Sequence, residues 1–379
     1  MRNFTKKYLN YTVVAAVTVI MGIMGAVGLP LSTTEMLEKI SIAIILAVSL
    51  NMVVGFLGEL SLGHAGFMCI GAYVGGKISV LLSSSLGGTN ILTVIIALIL
   101  GGLFAAGCGF IVGLPALRLR GDYLAIVTLA FGEIVKNLFE NIEFFGGQTG
   151  LKSPQFIGKS RFTLFIIGFL LVLLTLFVIQ NIIKSKHGRA ITAIRDNEIA
   201  AKSMGINVTK YKLMGFVVSA TFAGLAGALY SFTQSNIQAK TFDYNYSIEI
   251  LVIVVLGGMT INGSMISATL ITFLNIFLQK NLGGSFAVAK DLIYAVILIL
   301  VVIYRNAPNL KNFREKYNLN NLWRKITRHK GKATELDDDA IRWDVVPTKI
   351  SMDEVLSTDI ILDNTGDNSA DIGERGGNK

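Results

Sequence analysis

Of 379 residues, 52% are hydrophobic and only 16% charged, and mean hydropathy is +0.60; this excludes an ordinary soluble domain, where about a quarter of residues are charged. The net charge of +9 does not point to nucleic acid, because Lys and Arg sit in short connections and near the chain ends, where they orient a membrane protein. The two cysteines, Cys69 and Cys108, both lie inside apolar runs, as packing residues rather than a disulfide framework.

In chain order, residues 11–29 form an apolar run of about 19 residues, longer than a signal-peptide core and without a small-x-small cleavage site, and predict a first crossing. Nine more are predicted at 40–56, 62–82, 91–117, 123–139, 162–183, 213–232, 247–259, 264–278 and 292–304. The run 247–259 reaches only about 20 Å as a helix, so it reads as a half-helix or re-entrant piece. The fold class is thus an all-α polytopic membrane protein of about ten transmembrane helices, some broken or re-entrant. With the N-terminus inside, ten crossings bring Arg2, Lys6, Lys7, Arg118, Arg120, the 184–212 loop and the basic segment 305–332 to the cytoplasmic side, so both termini are expected there. The short connections 31–39, 83–90, 141–161 and 233–246 fall on the opposite side.

Three regions follow: a transmembrane domain at 1–304, a basic juxtamembrane segment at 305–332 suited to anionic lipid, and an acidic tail at 333–379 with the composition of disorder. Polar residues inside the spans are costly and carry the functional questions. Asn51, Ser61 and His64 lie on or beside the interrupted stretch GELSLGHAG and are the candidate translocation path, since broken helices commonly line substrate routes. His64 reads as a hydrogen-bonded histidine at a helix end, because no ligand spacing accompanies it. Glu133 and Lys136, three apart, read as an ion pair near the membrane boundary. Gly71 with Gly75, Gly109 with Gly113, and Ala223 with Gly227 follow the small-xxx-small pattern of close helix contact. The stretch GAYVGGKI, 71–78, imitates a phosphate loop up to its lysine, but Ile78 replaces the magnesium-binding hydroxyl and the segment sits in an apolar run.

Between the apolar runs 162–183 and 213–232 stands a charged, helix-patterned loop, 184–212. Arg189, Ile191, Ile194, Ile199 and Met204 intersperse apolar contacts among its charges, and Asp196 and Glu198 precede two small residues, Ala200 and Ala201, that let a helix seat closely in a groove. A loop of this kind offers a helix to a soluble partner; the bland alternative is an amphipathic helix lying on the membrane surface.

Five ordered blocks carry a family resemblance: LNMVVGFLGELSLGHAGFMCIGAY (50–73), LRLRGDYLAIVTLAFGEIV (117–135), GRAITAIRDNEIAAKSMGINVTKYKL (188–213), FAGLAGALY (222–230) and SIEILVIVVLGG (247–258). Together they resemble the permease subunits of branched-chain amino acid ABC importers, of the larger type called LivM, over about 40–304. Ala200, Ala201 and Gly205 fit the AA-xxx-G part of the importer coupling motif; Glu198 stands one residue early for the motif glutamate, and the downstream I-x-L-P is missing. The resemblance implies a subunit forming half of a translocation pathway in the bacterial cytoplasmic (inner) membrane, with Arg195, Asp196, Glu198, Ala200, Ala201 and Gly205 coupling it to ATPases. It implies as partners a second permease of the LivH type, two cytoplasmic ATP-binding subunits and an extracytoplasmic amino-acid-binding protein. ATP and Mg would belong to the ATPases, with no cofactor, metal or nucleic acid bound by this chain. Permeases for urea, short amides or other amino acids are the substrate alternatives. A stand-alone secondary transporter would place more ionisable groups deep in its spans, and an integral membrane enzyme would show a nucleophile, carboxylate pair or metal cluster.

Overall fold

The computed structural model describes residues 31–86, 90–119, 121–152 and 161–281, together with positions 296 and 299. The predicted crossing 11–29, all but those two positions of 292–304, the basic segment 305–332 and the tail 333–379 lie outside the described residues.

Helix α1, Leu31–Asn51, runs straight into a π-helical turn, Met52–Leu57, that ends at Gly58 in the left-handed region with φ 76°. An irregular stretch, 58–63, then leads into α2, His64–Leu86. Residues 31–39, expected as a short connection, are instead the first turns of α1, and Glu38 is buried there. Continuing the helix satisfies the backbone that a turn would leave open. Helices α3, Ile91–Ala116, and α4, Asp122–Asn141, follow, then two short 3₁₀ turns and strand β1, Leu151–Lys152. Next come α5, Arg161–Lys184; the loop helices α6, Lys186–Asp196, and α7, Glu198–Ser203; and α8, Val208–Thr233. Strand β2, Asn236–Ile237, pairs antiparallel with β1 in the register Leu151↔Ile237, and α9, Tyr244–Leu256, and α10, Ile261–Asn281, complete the described part.

Six of these helices, among the described residues, are long and apolar enough to cross a membrane: Ser32–Leu57, His64–Ser84, Ile91–Ala116, Thr163–Lys184, Val208–Thr233 and Ile261–Lys280. Each matches a predicted crossing. The predicted crossing 123–139 is the 20-residue α4, whose Asp122, Glu133, Lys136 and Glu140 keep it out of that group. The predicted half-helix 247–259 is α9, 13 residues and so about 20 Å long.

Helix α8 is the hub, packed against α1, α2 and α3. In a lipid environment burial of apolar surface gives helices little reason to associate, so close backbone contact must supply the attraction. The small residues do this. A Cβ added at Gly71 would lie 2.0 Å from the Gly224 carbonyl oxygen, and one at Gly227 only 1.9 Å from that of Met68. From the other side Gly75 faces Ala228, while Gly109 of α3 faces Ala220. Replacing Gly227 by Ala is expected to force α2 and α8 apart and cost about 3 kcal/mol. Gly107→Ala, where an added Cβ meets nothing within 4 Å, should be neutral or slightly stabilising. Melting of the two detergent-purified variants checks the contrast; equal behaviour would contradict this packing.

The stretch GAYVGGKI that imitates a phosphate loop lies inside α2, where its backbone amides serve the helix. Its Lys77 donates to the Phe144 carbonyl at 2.6 Å and stands 4.1 Å above the Phe144 ring.

Two helices, α2 and α9, begin at breaks next to the bundle core, and each must satisfy amides that the missing turn would have served. The Leu62 amide donates to Thr128 Oγ1 at 3.0 Å and the Ala65 amide to Ser247 Oγ at 3.1 Å. At α9, the Tyr244 amide donates to Glu133 Oε1 at 3.0 Å, and Asp243 accepts from the Tyr246 amide. Glu133 therefore does more than pair with Lys136, its other carboxylate oxygen's partner: it caps a neighbouring helix.

Candidate functional site

The loop 184–212 is a pair of short helices with a cap at every corner. Ser185 Oγ accepts from the His187 amide to start α6. Asn197 breaks the helix in an extended conformation, and its side chain accepts from the Ile199 and Ala200 amides at 3.1 and 3.0 Å to start α7. Gly205, φ 79°, closes α7: its amide donates to the Lys202 carbonyl and that of Ile206 to Ala201, both orphan carbonyls of the last turn. Asn207 then caps α8 through the Lys210 amide. An added Cβ at Gly205 meets nothing within 4 Å, so its glycine serves the backbone conformation rather than leaving room for a partner.

The residues of the loop divide by face. Ile191, Ile194 and Ala201 are buried against the bundle. Ile199 and Met204 point outward, 71% and 82% exposed, with Ala200, Lys202 and Asp196 also exposed around them. The two motif alanines thus part company: Ala200 is available to a partner and Ala201 is not.

The inner face is wired to the break between α1 and α2. Lys212, buried in the first turns of α8, donates to Glu59 Oε1 at 2.5 Å and to Glu198 Oε2 at 3.2 Å. One ammonium thus joins the first residue of α7 to the irregular stretch 58–63. Taking these charges from water costs several kcal/mol per ion, and only their mutual hydrogen bonds offset it. Arg195, at the end of α6, donates through Nη1 to the Gly55 carbonyl in the π-helical turn at 3.1 Å, while Asp196 holds its Nε and Nη2 at 3.1 and 3.0 Å. A side chain on Gly58 would collide with Arg195, its Cβ 2.6 Å from Cγ. The break between α9 and α10 meets the same place: Met259, at φ 56°, sets its carbonyl 2.7 Å from where a Gly55 Cβ would stand. Five segments therefore converge on Gly55, Gly58 and Glu59: the π-helical turn, the irregular stretch 58–63, α6, α7 with the start of α8, and the α9–α10 break.

The path candidates Asn51, Ser61 and His64 are all buried, so within this chain they do not face an open route. His64 Nε2 lies 2.9 Å from Ser49 Oγ, and because that hydroxyl gives its proton to the Leu46 carbonyl at 3.0 Å, Ser49 accepts from the imidazole. Asn51 is fully buried at the head of the π-helical turn, over Gly55, and among the described residues neither its side-chain oxygen nor its nitrogen has a hydrogen-bond partner.

The sequence reading placed Arg195, Asp196, Glu198, Ala200, Ala201 and Gly205 in one loop, but it passed over Lys212, Glu59 and Gly55, with which that loop makes contact. An acid inside a glycine-flanked break and a lysine at the start of an apolar run were the visible signals; that they are partners 153 positions apart was not.

Six helices of membrane-crossing length and composition among the described residues make this a multi-pass membrane protein. Residues 32–302 match the family described as branched-chain amino acid transport system / permease component, and the chain belongs to that family. It is 38% identical over 294 residues to the high-affinity branched-chain amino acid transport system permease protein LivM of Salmonella typhimurium, covering 70% of this chain and 66% of that one. It is 36% identical over 319 residues to LivM of Escherichia coli K12, covering 76% and 72%. A probable LivH permease of Methanocaldococcus jannaschii is 29% identical over 198 residues, or 51% and 59% of the two chains. No solved structure matches.

Proposed function

We propose that this chain is half of a paired permease in an ATP-driven importer for branched-chain amino acids of a bacterial inner membrane, with a LivH-type permease as the other half. Two cytoplasmic ATPases, which hold the ATP and Mg, push on the loop 184–212, and an extracytoplasmic binding protein delivers the substrate. The basic clusters support ten crossings with the loop and both termini inside. The observation that carries the reading is the Lys212 bridge between Glu198 and Glu59, backed by Arg195 on Gly55: it joins a docking helix to a break in the transmembrane bundle, so displacement of α7 pulls on the end of α1 and the start of α2.

Vesicles containing the full assembly should take up leucine only with ATP inside, and omission of the ATPases should abolish uptake. Uptake without ATPases, driven by an ion gradient, would contradict the reading and favour a secondary transporter.

Asn51, Ser61 and His64 are proposed to reach the pathway when the break moves. An unpartnered buried amide costs about 1–3 kcal/mol, so Asn51→Leu is expected to raise thermal stability by about 1 kcal/mol while reducing uptake. Unchanged uptake in a stabilised variant would make Asn51 plain packing. Truncation after Lys332 is expected to leave uptake intact, since the tail 333–379 lies beyond the family match.

A further inference from the structure

Beside the loop 184–212, where α3 ends, the chain leaves an open cleft of about 710 Å³, within the size range of small-molecule sites. Three segments bound it: the end of α3 at Arg118, α7 with Glu198 and Lys202, and the entry into α8 with Val208 and Thr209. Its charge is one-sided. Arg118 and Lys202 are both exposed, and among the described residues neither side chain pairs with an acid. The one acid of the lining, Glu198, is already held by Lys212. The first backbone bond of α8 runs from the Tyr211 amide to the Asn207 carbonyl, so the amides of Val208 and Thr209 are two further donors with no carbonyl of the helix to serve.

What adjoins the cleft is apolar. Ile111 and Leu114 precede Arg118 by seven and four positions, on one face of α3, and both are exposed. Helix α3 is of membrane-crossing length and composition, so this face meets acyl chains. Tyr123, exposed at the start of the next helix, is an amphipathic ring of the kind that sits at headgroup level. The cleft therefore opens at the membrane boundary, cationic within and continuous with an aliphatic strip that runs into the hydrocarbon.

We infer that the cleft binds an anionic phospholipid, its phosphate between Arg118 and Lys202 and its acyl chains along Ile111 and Leu114. Basic pockets between membrane helices suit such headgroups. A zwitterionic phospholipid brings a cation of its own to the two already there, and a free phosphate leaves the aliphatic strip unused. The lipid comes from the leaflet on the loop's side, which is the cytoplasmic one in the orientation proposed above. Seated there, its headgroup lies against α7 beside Glu198, through which Lys212 joins the loop to the α1–α2 break, and so it braces that joint.

Native mass spectrometry of the full assembly, titrated with dioleoyl phosphatidylglycerol or dioleoyl phosphatidylcholine, tests this. The anionic lipid should be retained about ten-fold more tightly. Arg118→Gln and Lys202→Gln should each weaken its retention about five-fold, the effect of one cation near a membrane surface. Lys186→Gln, exposed on the same loop but outside the cleft, should leave it unchanged. All three variants should melt like the wild type, since their side chains are exposed. Equal retention of the two lipids would overturn the site, as would an equal loss in the Lys186 variant, which would make the preference a diffuse effect of surface charge. Displacement of the lipid by millimolar inorganic phosphate would assign the cleft to a free anion instead, and release of the lipid when the ATPases are added to the permease pair would assign it to them; either overturns the proposal. Leucine uptake is measured in vesicles with the same assemblies: selective lipid binding without uptake supports the site and counts against the permease reading, whereas uptake without selective binding overturns the site alone.

Discussion

Lys212→Met is expected to lower the stability of the purified protein by about 3–5 kcal/mol, a large part of what holds a typical domain together. The reason is what remains rather than what is removed. Glu59 lies in the stretch 58–63 with its side chain 11% exposed and Lys212 as its partner at 2.5 Å; without the ammonium its carboxylate is a buried charge with no other ion-pair partner among the described residues. Glu198, 29% exposed, loses less, because water reaches it. The double variant Lys212→Met with Glu59→Gln removes both buried charges and should recover most of the stability, as buried pairs replaced together often do. It should not recover uptake, because the connection from α7 to the stretch 58–63 is still missing. Thermal melting of the single and double variants tests the first half and uptake in vesicles the second. A single variant that melts like the wild type would show that the bridge is not a buried one.

Ile199→Glu and Met204→Glu are expected to act the opposite way, on function without stability. Both side chains are mostly exposed, so the isolated permease should fold and melt unchanged. If they are the anchors that an ATPase groove receives, each charge should weaken attachment by about 2 kcal/mol or more, roughly 30-fold in affinity. The buried Ile191 and Ile194 predict the reverse pattern, with stability lost first. Pull-down of the ATPases by each variant, with melting alongside, reads the two faces separately. Retained attachment in both outward variants would move the docking surface elsewhere.

How much of this was legible in the sequence depended on the range of the interaction. Helices α3, α5 and α8 were visible because a long uncharged run has one solution in a membrane, and the small-xxx-small pairs correctly marked the faces that meet at α8. The half-length of α9 was visible too, since 13 residues cannot span the hydrocarbon. The start of α1 is not legible in the same way, because Glu35, Glu38 and Lys39 lower the hydropathy of its first turns, whereas Glu38 is buried and Lys39 lines a cavity. The helical character of the loop 184–212 is legible in its local pattern, but the partners of its inner face depend on contacts that sequence spacing does not encode. Arg195 reaches Gly55 across 140 positions, and Lys212 reaches Glu59 across 153. Gly205 is legible from the sequence only as a match to the AA-xxx-G pattern; its positive φ and empty surroundings give it the part of a helix terminator.

The central claim is that energy entering at the loop 184–212 reaches the α1–α2 break through Lys212. Its most direct test is the ratio of leucine transported to ATP hydrolysed by the full assembly in vesicles, compared between wild type and the double variant Lys212→Met with Glu59→Gln. The variant should keep hydrolysing ATP, because the outer face bearing Ile199 and Met204 is intact, while uptake per ATP falls about ten-fold or more, the effect of removing a coupling of at least 1.4 kcal/mol. An unchanged ratio in a folded, fully assembled variant would contradict it.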